Sequence, residues 1–336
     1  MIEIIVFFLL VSLALYIIFA GADFGAGILE ILCAKKDKEK FRDIVTNAIG
    51  PVWESNHIWI ILVIVIMFSV FPVVYSAVSI TFHIPLVIML FGIVLRGTAF
   101  TFRHYDASKN APGHLYSSIF ASSSLITPFA QGVIAGGMIL GIPADPKSFE
   151  EAYILPWLNL FPISTGLFLC LLCSLTAAVF LLCEEQAQEF APVMRRRIRV
   201  FSLLTVLCGA LVFAAAEMHK FHLMKIYFEN FISLLAFVLA TVSMILLNFL
   251  VSRQIFPNLL RICICAIICF ILVGWWHLQF PYLIGVPGSG KELYSIYEFA
   301  APEAVLRQVM IALIIGIALI FPALFFLIRT FKYKKS

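Results

Sequence analysis

The amino-acid sequence predicts an all-α, polytopic membrane protein with about nine transmembrane helices. Of its 336 residues, 62% are hydrophobic and only 12% are charged, whereas charged residues make up roughly 25% of a soluble domain. Runs of about 20 apolar residues recur along the chain, which is the length that a helix needs to cross a bilayer. The net charge of +4 is carried by the loops between these runs. It therefore does not indicate a nucleic-acid partner.

Apolar runs bounded by turn and charge signals predict nine spans within a single transmembrane domain, residues 1–336. We expect the first span to tilt or to extend beyond the bilayer, because it is longer than a bilayer requires. It begins at Ile2 without a preceding basic segment or a following small-residue cleavage site, so a cleaved signal peptide is not expected. The spans lie near residues 2–32, 52–72, 77–102, 115–141, 160–183, 200–217, 229–251, 258–280 and 305–330.

Most lysine and arginine residues fall in alternate loops, which predicts the orientation of the chain. They concentrate between Lys35 and Arg42, between Arg195 and Arg199, and in the C-terminal tail with Lys334 and Lys335. Since basic loops remain in the cytoplasm, we expect the N-terminus outside and the C-terminus inside.

Asp23 is the first polar residue that indicates function. A charge within a span costs about 2.5–3.5 kcal/mol on insertion scales, and such residues usually mark ion or proton paths. Gly21 and Gly25 flank it with the small-residue spacing that allows another helix to approach closely. Counting helical rise places Asp23 near the inner face, at the depth of Glu54, Arg96 and Arg103. The alternative is a buried acid that pairs with Arg96 for assembly alone.

Glu54 opens the second span, where Pro51 suits the first turn of a helix. One interpretation is a glutamate that is stabilised by the helix dipole near the headgroups. The alternative is a polar site, because Trp53, Asn56 and His57 lie within one turn of Glu54.

Cysteine and histidine residues do not predict a metal or haem site in this chain. All eight cysteines lie in or beside apolar segments, where cysteine usually acts as a small buried apolar residue. His83, a lone histidine in the third span, is interpreted as a partner of a neighbouring helix.

Several motifs together resemble subunit II of the cytochrome bd-type quinol oxidases, and the resemblance runs along the whole chain. The N-terminal hundred residues carry its most specific part. The motifs are Gly21-Ala-Asp23-Phe-Gly25-Ala-Gly27, Asn47-x-x-Gly-Pro51-x-Trp53-Glu54-x-Asn56-x-x-Trp59, Phe71-Pro72-x-x-Tyr75, Leu95-Arg96-x-x-x-Phe100-x-x-Arg103, Asn159-x-x-Pro162-x-x-x-Gly166, and the stretch with Glu298, Ala300, Ala301 and Leu306.

The resemblance implies two four-helix bundles plus one peripheral helix, in the cytoplasmic membrane of a prokaryote. It implies a heterodimer with a larger subunit I, which carries haems b and d, oxidises quinol and reduces oxygen to water. This chain would bind no haem and no metal, and would support the complex and its uptake of cytoplasmic protons. A structural quinone, membrane lipids and a small single-span accessory subunit are the further partners that the resemblance suggests.

The resemblance also suggests roles for the polar residues. Asp23 and Glu54 would form a proton-uptake pair, with Arg96 tuning their charge and Trp53, Asn56 and His57 shaping the site. This chain departs from the family pattern at Glu54, where Asp is usual, and at His57, where Gln or Glu is more common. Thr101 also stands where an acidic residue is common.

Two other function classes stay open on the residues alone. A proton-coupled secondary transporter would share the span count and the intramembrane acids, although such proteins often show paired broken helices in two repeats. A self-contained membrane cytochrome would need paired His or Met ligands at matching depth. The spectrum and the co-purifying proteins of the purified chain would separate the three classes.

Overall fold

A computed structural model of the chain describes residues 1–50, 53–105, 113–218, 223–254, 257–286 and 291–332. Pro51, which we predicted in the first turn of the second span, lies outside the described residues, as do Lys334 and Lys335. The described chain is almost entirely helical, with one short pair of strands. The predicted all-α class is therefore confirmed.

The helices are numbered in chain order. They are α1 (Ile2–Ile31), α2 (Lys38–Ile49), α3 (Trp53–Asn56), α4 (Ile58–Val70), α5 (Pro72–Thr81), α6 (His83–Tyr105), α7 (Gly113–Leu140), α8 (Phe149–Tyr153), α9 (Leu160–Leu182), α10 (Ala191–Met218), α11 (Leu223–Glu229), α12 (Phe231–Arg253), α13 (Pro257–Gln279) and α14 (Glu303–Lys332). Two 3₁₀ turns, Lys35–Asp37 and Glu185–Phe190, precede α2 and α10.

In the described part of the chain, nine helical segments are long and apolar enough to cross a membrane. They match the nine predicted spans in order, and α3 and α4 together form the second. Most boundaries agree within two or three residues. Two spans differ more, and each difference has a local physical cause.

The third span begins later than predicted. The apolar run from residue 77 splits into the short helix α5 and the spanning helix α6, with Phe82 between them at φ −104° and ψ 23°. Pro85 lies in the first turn of α6. Since proline has no backbone N–H and its ring clashes with the preceding turn, one continuous helix through this point is disfavoured.

The sixth span begins earlier than predicted. The four arginines from Arg195 to Arg199 lie within α10 and not in the loop before it. Arginine is a good helix former, and its long side chain can reach water from a helix that is otherwise apolar. A hydrophobic run therefore underestimated the length of this helix.

The spanning helices form two groups of four, with a ninth at the edge. Helices α6, α7, α1 and α4 pack in succession, and helices α9, α10, α12 and α13 close into a ring; α1 and α7 pack against α9 and join the groups. Helix α14 lies against α4 and remains mostly exposed. The predicted arrangement of two groups of four spans plus one peripheral helix agrees with this packing.

The basic segments meet at one end of the molecule. Lys40 forms an ion pair with Glu189, and Arg261 lies 3.0 Å from Glu184. Arg197 donates hydrogen bonds to the carbonyl oxygens of α1 at its end. We call this end of the molecule the basic end. These contacts show that the described basic segments share one side, while the sidedness in the cell stays a prediction.

The opposite end carries the two longer loops. The strands β1 (Tyr282–Ile284) and β2 (Tyr294–Ser295) pair antiparallel, and Ile142 bridges to Glu292. Gly285 adopts a φ of +82°, which a side chain would disfavour. The two predicted outer loops therefore fold against each other.

Candidate functional site

Asp23 is buried inside α1, with 4% of its surface exposed. Its Oδ2 accepts a hydrogen bond of 2.6 Å from Nδ2 of Asn56, the last residue of α3. A buried carboxylate needs such a partner, because an unpaired one is very costly to hold away from water. The structure thus brings together two of the predicted site residues, from the first and second spans.

Arg96 of α6 lies at the same level and is only 2% exposed. Its Nε donates to Oγ of Ser124 at 3.2 Å, and its guanidinium carbon lies 4.8 Å from the ring centre of Phe24. Arg96 also interacts electrostatically with Asp23, although no ion pair within 4.0 Å joins these two described residues. Arg96 therefore lies near Asp23 without a direct ion pair between the two side chains.

Glu30 is a buried acid that the sequence analysis missed. It is fully buried near the end of α1, and its Oε2 accepts a hydrogen bond of 2.8 Å from Nη1 of Arg103. Arg103 also donates from Nη2 to Oγ1 of Thr46 on α2 at 2.8 Å. The sequence does contain a signal for Glu30. It follows Asp23 by seven residues, which is about two helical turns and places both acids on the same face of the helix.

The same spacing extends backwards to Tyr16, which is 3% exposed and accepts a hydrogen bond from Gln131. Tyr16, Asp23 and Glu30 therefore form a polar stripe on α1, with successive members about 10 Å apart along the helix. Arg96 and Arg103 of α6 are also seven residues apart and lie beside Asp23 and Glu30. We call these five side chains the polar ladder.

Phe120 separates two levels of the ladder. Its ring centre lies 5.1 Å from the guanidinium carbon of Arg96 and 4.4 Å from that of Arg103. Cations are attracted to the face of an aromatic ring, so Phe120 stabilises both arginines. Helix α1 also packs closely against α7 here, because a Cβ on Gly27 would overlap the side chain of Ser124.

Several buried atoms of the ladder have no protein partner among the described residues. They are Oε1 of Glu30, Nε of Arg103 and Nη2 of Arg96, and Nδ1 of His57 is similar. Buried polar atoms are normally bonded to protein or to ordered water. The unpaired atoms of Glu30, Arg103 and Arg96 are therefore the positions at which ordered water would bind.

The other predicted residues lie around this cluster. His57 sits at a turn between α3 and α4, with its ring centre 5.9 Å from that of Phe24 and 6.2 Å from that of Tyr16. Trp53 packs on Phe100 at 5.4 Å. Both side chains form aromatic walls of the site.

Glu54 is placed differently from the expected pair. Its side chain is exposed, whereas Asn56, two residues later, turns inward to Asp23. Residues two apart lie on different faces of a helix. The structure therefore brings Asp23 to Asn56 and not to Glu54, which lies on the surface of this chain.

The model of one protein family matches residues 1–331. That family is described as cytochrome bd terminal oxidase subunit II. The chain belongs to this family. The resemblance that the motifs carried is thus confirmed, and membership favours an oxidase subunit over the transporter and the self-contained cytochrome.

Curated relatives match the chain in part. The cytochrome bd ubiquinol oxidase subunit 2 of Bacillus subtilis is 31% identical over 154 residues, which are 46% of this chain and 44% of that protein. The cytochrome bd-I ubiquinol oxidase subunit 2 of Escherichia coli K12 is 27% identical over 133 residues, 40% of this chain and 34% of the relative. The chain therefore aligns with less than half the length of either relative.

A solved structure supports the fold over the whole length. The bd oxidase from Geobacillus thermodenitrificans contains a chain that matches with a TM-score of 0.78 at 21% identity, covering 99% of both chains. This likeness establishes the fold of the chain.

The described residues offer few groups that could bind a metal or a haem. Among the described residues, no group of three or more His, Cys, Asp or Glu side chains is arranged to hold a metal ion. Nδ1 of His83 donates a hydrogen bond of 2.9 Å to the carbonyl oxygen of Ile80, and the ring packs on Tyr153. His83 thus makes local structural contacts, as the sequence analysis expected.

Proposed function

We propose that this chain is the haem-free second subunit of a bd-type quinol oxidase that reduces oxygen to water. It supports a larger subunit I that holds haems b and d, and it helps to take up the protons that water formation consumes. The polar ladder is the observation that carries this proposal. A family member with a line of buried acids and arginines through its spans has the groups that a proton path needs.

The ladder reaches the basic end, so the proposed proton path begins there. Arg42, with 26% of its side chain exposed, donates from Nη1 to Oγ of Ser117 at 3.4 Å, while its carbonyl accepts from Thr46. Thr46 then contacts Arg103, the partner of Glu30. Protons would enter through this polar surface, pass from Glu30 to Asp23, and move on to chemistry in subunit I.

The acids, the arginines and Asn56 have distinct tasks in the proposal. Glu30 and Asp23 accept and release the proton, while Arg96 and Arg103 stabilise the carboxylates between transfers. Asn56 orients the carboxylate of Asp23 through its 2.6 Å hydrogen bond. Glu54, exposed on this chain, is the acid that faces out of the subunit and exchanges protons at its surface.

Neutralising Asp23 tests the proposal. In the purified complex, Asp23→Asn should lower oxygen consumption by about tenfold or more, because proton-transfer groups commonly contribute factors of about 10²–10⁴. Glu54→Gln should cause a smaller decrease, since water can partly replace an exposed carboxylate. Oxygen-electrode rates normalised to haem content provide the measurement.

Glu39→Gln is the matched control. Glu39 is an exposed acid of α2 at the same end and lies outside the ladder, so this variant should retain the parental rate. Unchanged oxygen consumption in Asp23→Asn, with haem content intact, would rule out Asp23 as a proton carrier.

A further inference from the structure

A second site lies at the basic end, apart from the polar ladder. A cavity of about 310 Å³ opens where α1 ends, between the turn Lys35–Asp37, α2 and α10. Phe41 and other apolar side chains form much of its wall. Its polar lining includes Asp37, Arg196 and Arg197.

Arg197 forms a fixed part of the cavity wall. Its Nη1 donates to the Leu29 carbonyl at 3.1 Å and its Nη2 to the Leu32 carbonyl at 2.7 Å, and its guanidinium carbon lies 5.6 Å from the ring centre of Phe41. These bonds satisfy one carbonyl group in the last turn of α1 and one just beyond its end, where the helix itself supplies no partner. Arg197 is thus fixed, and its charge remains at the cavity.

Arg196 is positioned to bind a ligand. It lines the same cavity, is exposed, and forms no hydrogen bond or ion pair with another described residue. The two arginines outweigh the single acid, Asp37, in the lining. A ligand with one negative charge would therefore balance the charge of the cavity.

An aliphatic stripe continues from the cavity along α10. Val193, Val200, Leu203 and Leu207 are exposed by 45%, 47%, 61% and 57%. With Arg196 they recur at intervals of three and four residues, so they form one face of the helix. Because α10 is a spanning helix, this face runs from the basic end toward the centre of the bilayer.

We propose that the cavity and the stripe bind one anionic phospholipid of the surrounding bilayer. The phosphodiester would bind Arg196 beside the charge of Arg197, and an acyl chain would lie along Val200, Leu203 and Leu207. A cationic cavity at the end of a span is the type of site that anionic headgroups recognise. This assignment does not depend on the proton path.

Lipid binding to the detergent-purified complex tests this site. Native mass spectrometry would count bound phosphatidylglycerol and phosphatidylcholine with identical acyl chains. The parent complex should prefer phosphatidylglycerol, and Arg196→Gln should weaken its binding by about fivefold, as expected for the loss of one cationic contact at the membrane surface. Millimolar inorganic phosphate should leave the lipid bound, because it has no acyl chain for the stripe.

Arg199→Gln is the matched control. Arg199 is exposed on the same helix but does not line the cavity, so this variant should bind phosphatidylglycerol like the parent. Equal losses in Arg196→Gln and Arg199→Gln would reduce the effect to general surface charge and overturn the site. Equal binding of the two lipids, displacement by phosphate, or loss of a partner subunit from Arg196→Gln would also overturn it.

Discussion

At the scale of single residues, two glutamates differ in burial and therefore in how their charge is stabilised. Glu30 is fully buried and Glu54 is exposed, although both lie close to a loop in the sequence. Glu30 has a direct ion pair of 2.8 Å with Arg103, whereas Asp23 has an amide partner and an arginine farther away. Glu30 is thus held by charge, and Asp23 is held mainly by a neutral hydrogen bond.

Breaking the buried ion pair should destabilise the subunit. Glu30→Gln leaves the charge of Arg103 without its carboxylate, which typically costs about 3–5 kcal/mol. Thermal unfolding of the purified complex should show a lower midpoint. In the double variant Glu30→Gln/Arg103→Met much of this loss should be recovered, because no unpaired buried charge remains.

A double-mutant cycle separates this effect from general damage at the site. Residues in direct contact give an interaction energy of about 0.5–3 kcal/mol in such a cycle. Additive losses for the two single variants would contradict the ion pair as a stabilising unit.

At the scale of elements, the position of α1 depends on its glycines. A Cβ on Gly25 would overlap the Cys173 carbonyl of α9, whereas a Cβ on Gly21 would lie 3.4 Å from the Cys173 Sγ. Close backbone approach of this kind is what small residues provide in membrane helices. Asp23 lies between these two glycines, so helix packing and site geometry are linked.

Gly25→Ala should therefore disturb assembly more than Gly21→Ala. The added methyl group at Gly25 meets backbone, which cannot rotate away, and overpacking of this type costs about 1–3 kcal/mol. The thermal midpoint and the amount of complex recovered from membranes should both fall. Gly21→Ala is the matched control and should stay close to the parent; equal effects of the two variants would contradict the asymmetry.

At the scale of the whole molecule, large apolar surfaces remain on the spanning helices. Exposed side chains such as Phe68, Phe91 and Leu95 are 62%, 63% and 47% exposed, and α14 is mostly uncovered. Lipid tails or a neighbouring subunit must cover these surfaces in the membrane.

Mild purification should reveal the partner. When the tagged chain is extracted in a gentle detergent, a larger haem-bearing subunit should co-purify, and the haem absorbance should follow that subunit after separation. The absorbance spectrum and the mass of each separated chain give the measurement. A chain that purifies alone without haem, or that retains haem by itself, would contradict the proposed division of roles.

The sequence by itself determined the fold class, the order of nine spans and the family. Each of these depends on local properties, namely the length of apolar runs, the charge of loops and the spacing of motifs, and such properties are readable along the chain. The burial of Asp23 among other polar groups was also predictable, because a charge inside an apolar run is conspicuous. The start of α10 and the break at Phe82 were not predictable in this way. Average hydropathy does not show that arginines extend one helix or that a proline interrupts another.

Only the tertiary structure decided which polar groups meet. It paired Asp23 with Asn56, moved Glu54 to the surface, and joined Glu30 to Arg103 from a helix 73 residues away. These contacts depend on the rotation and approach of separate helices, which depth along the chain does not specify. Counting helical rise predicted that the charged residues lie at one side of the membrane. Only the packing of side chains determined which of them pair.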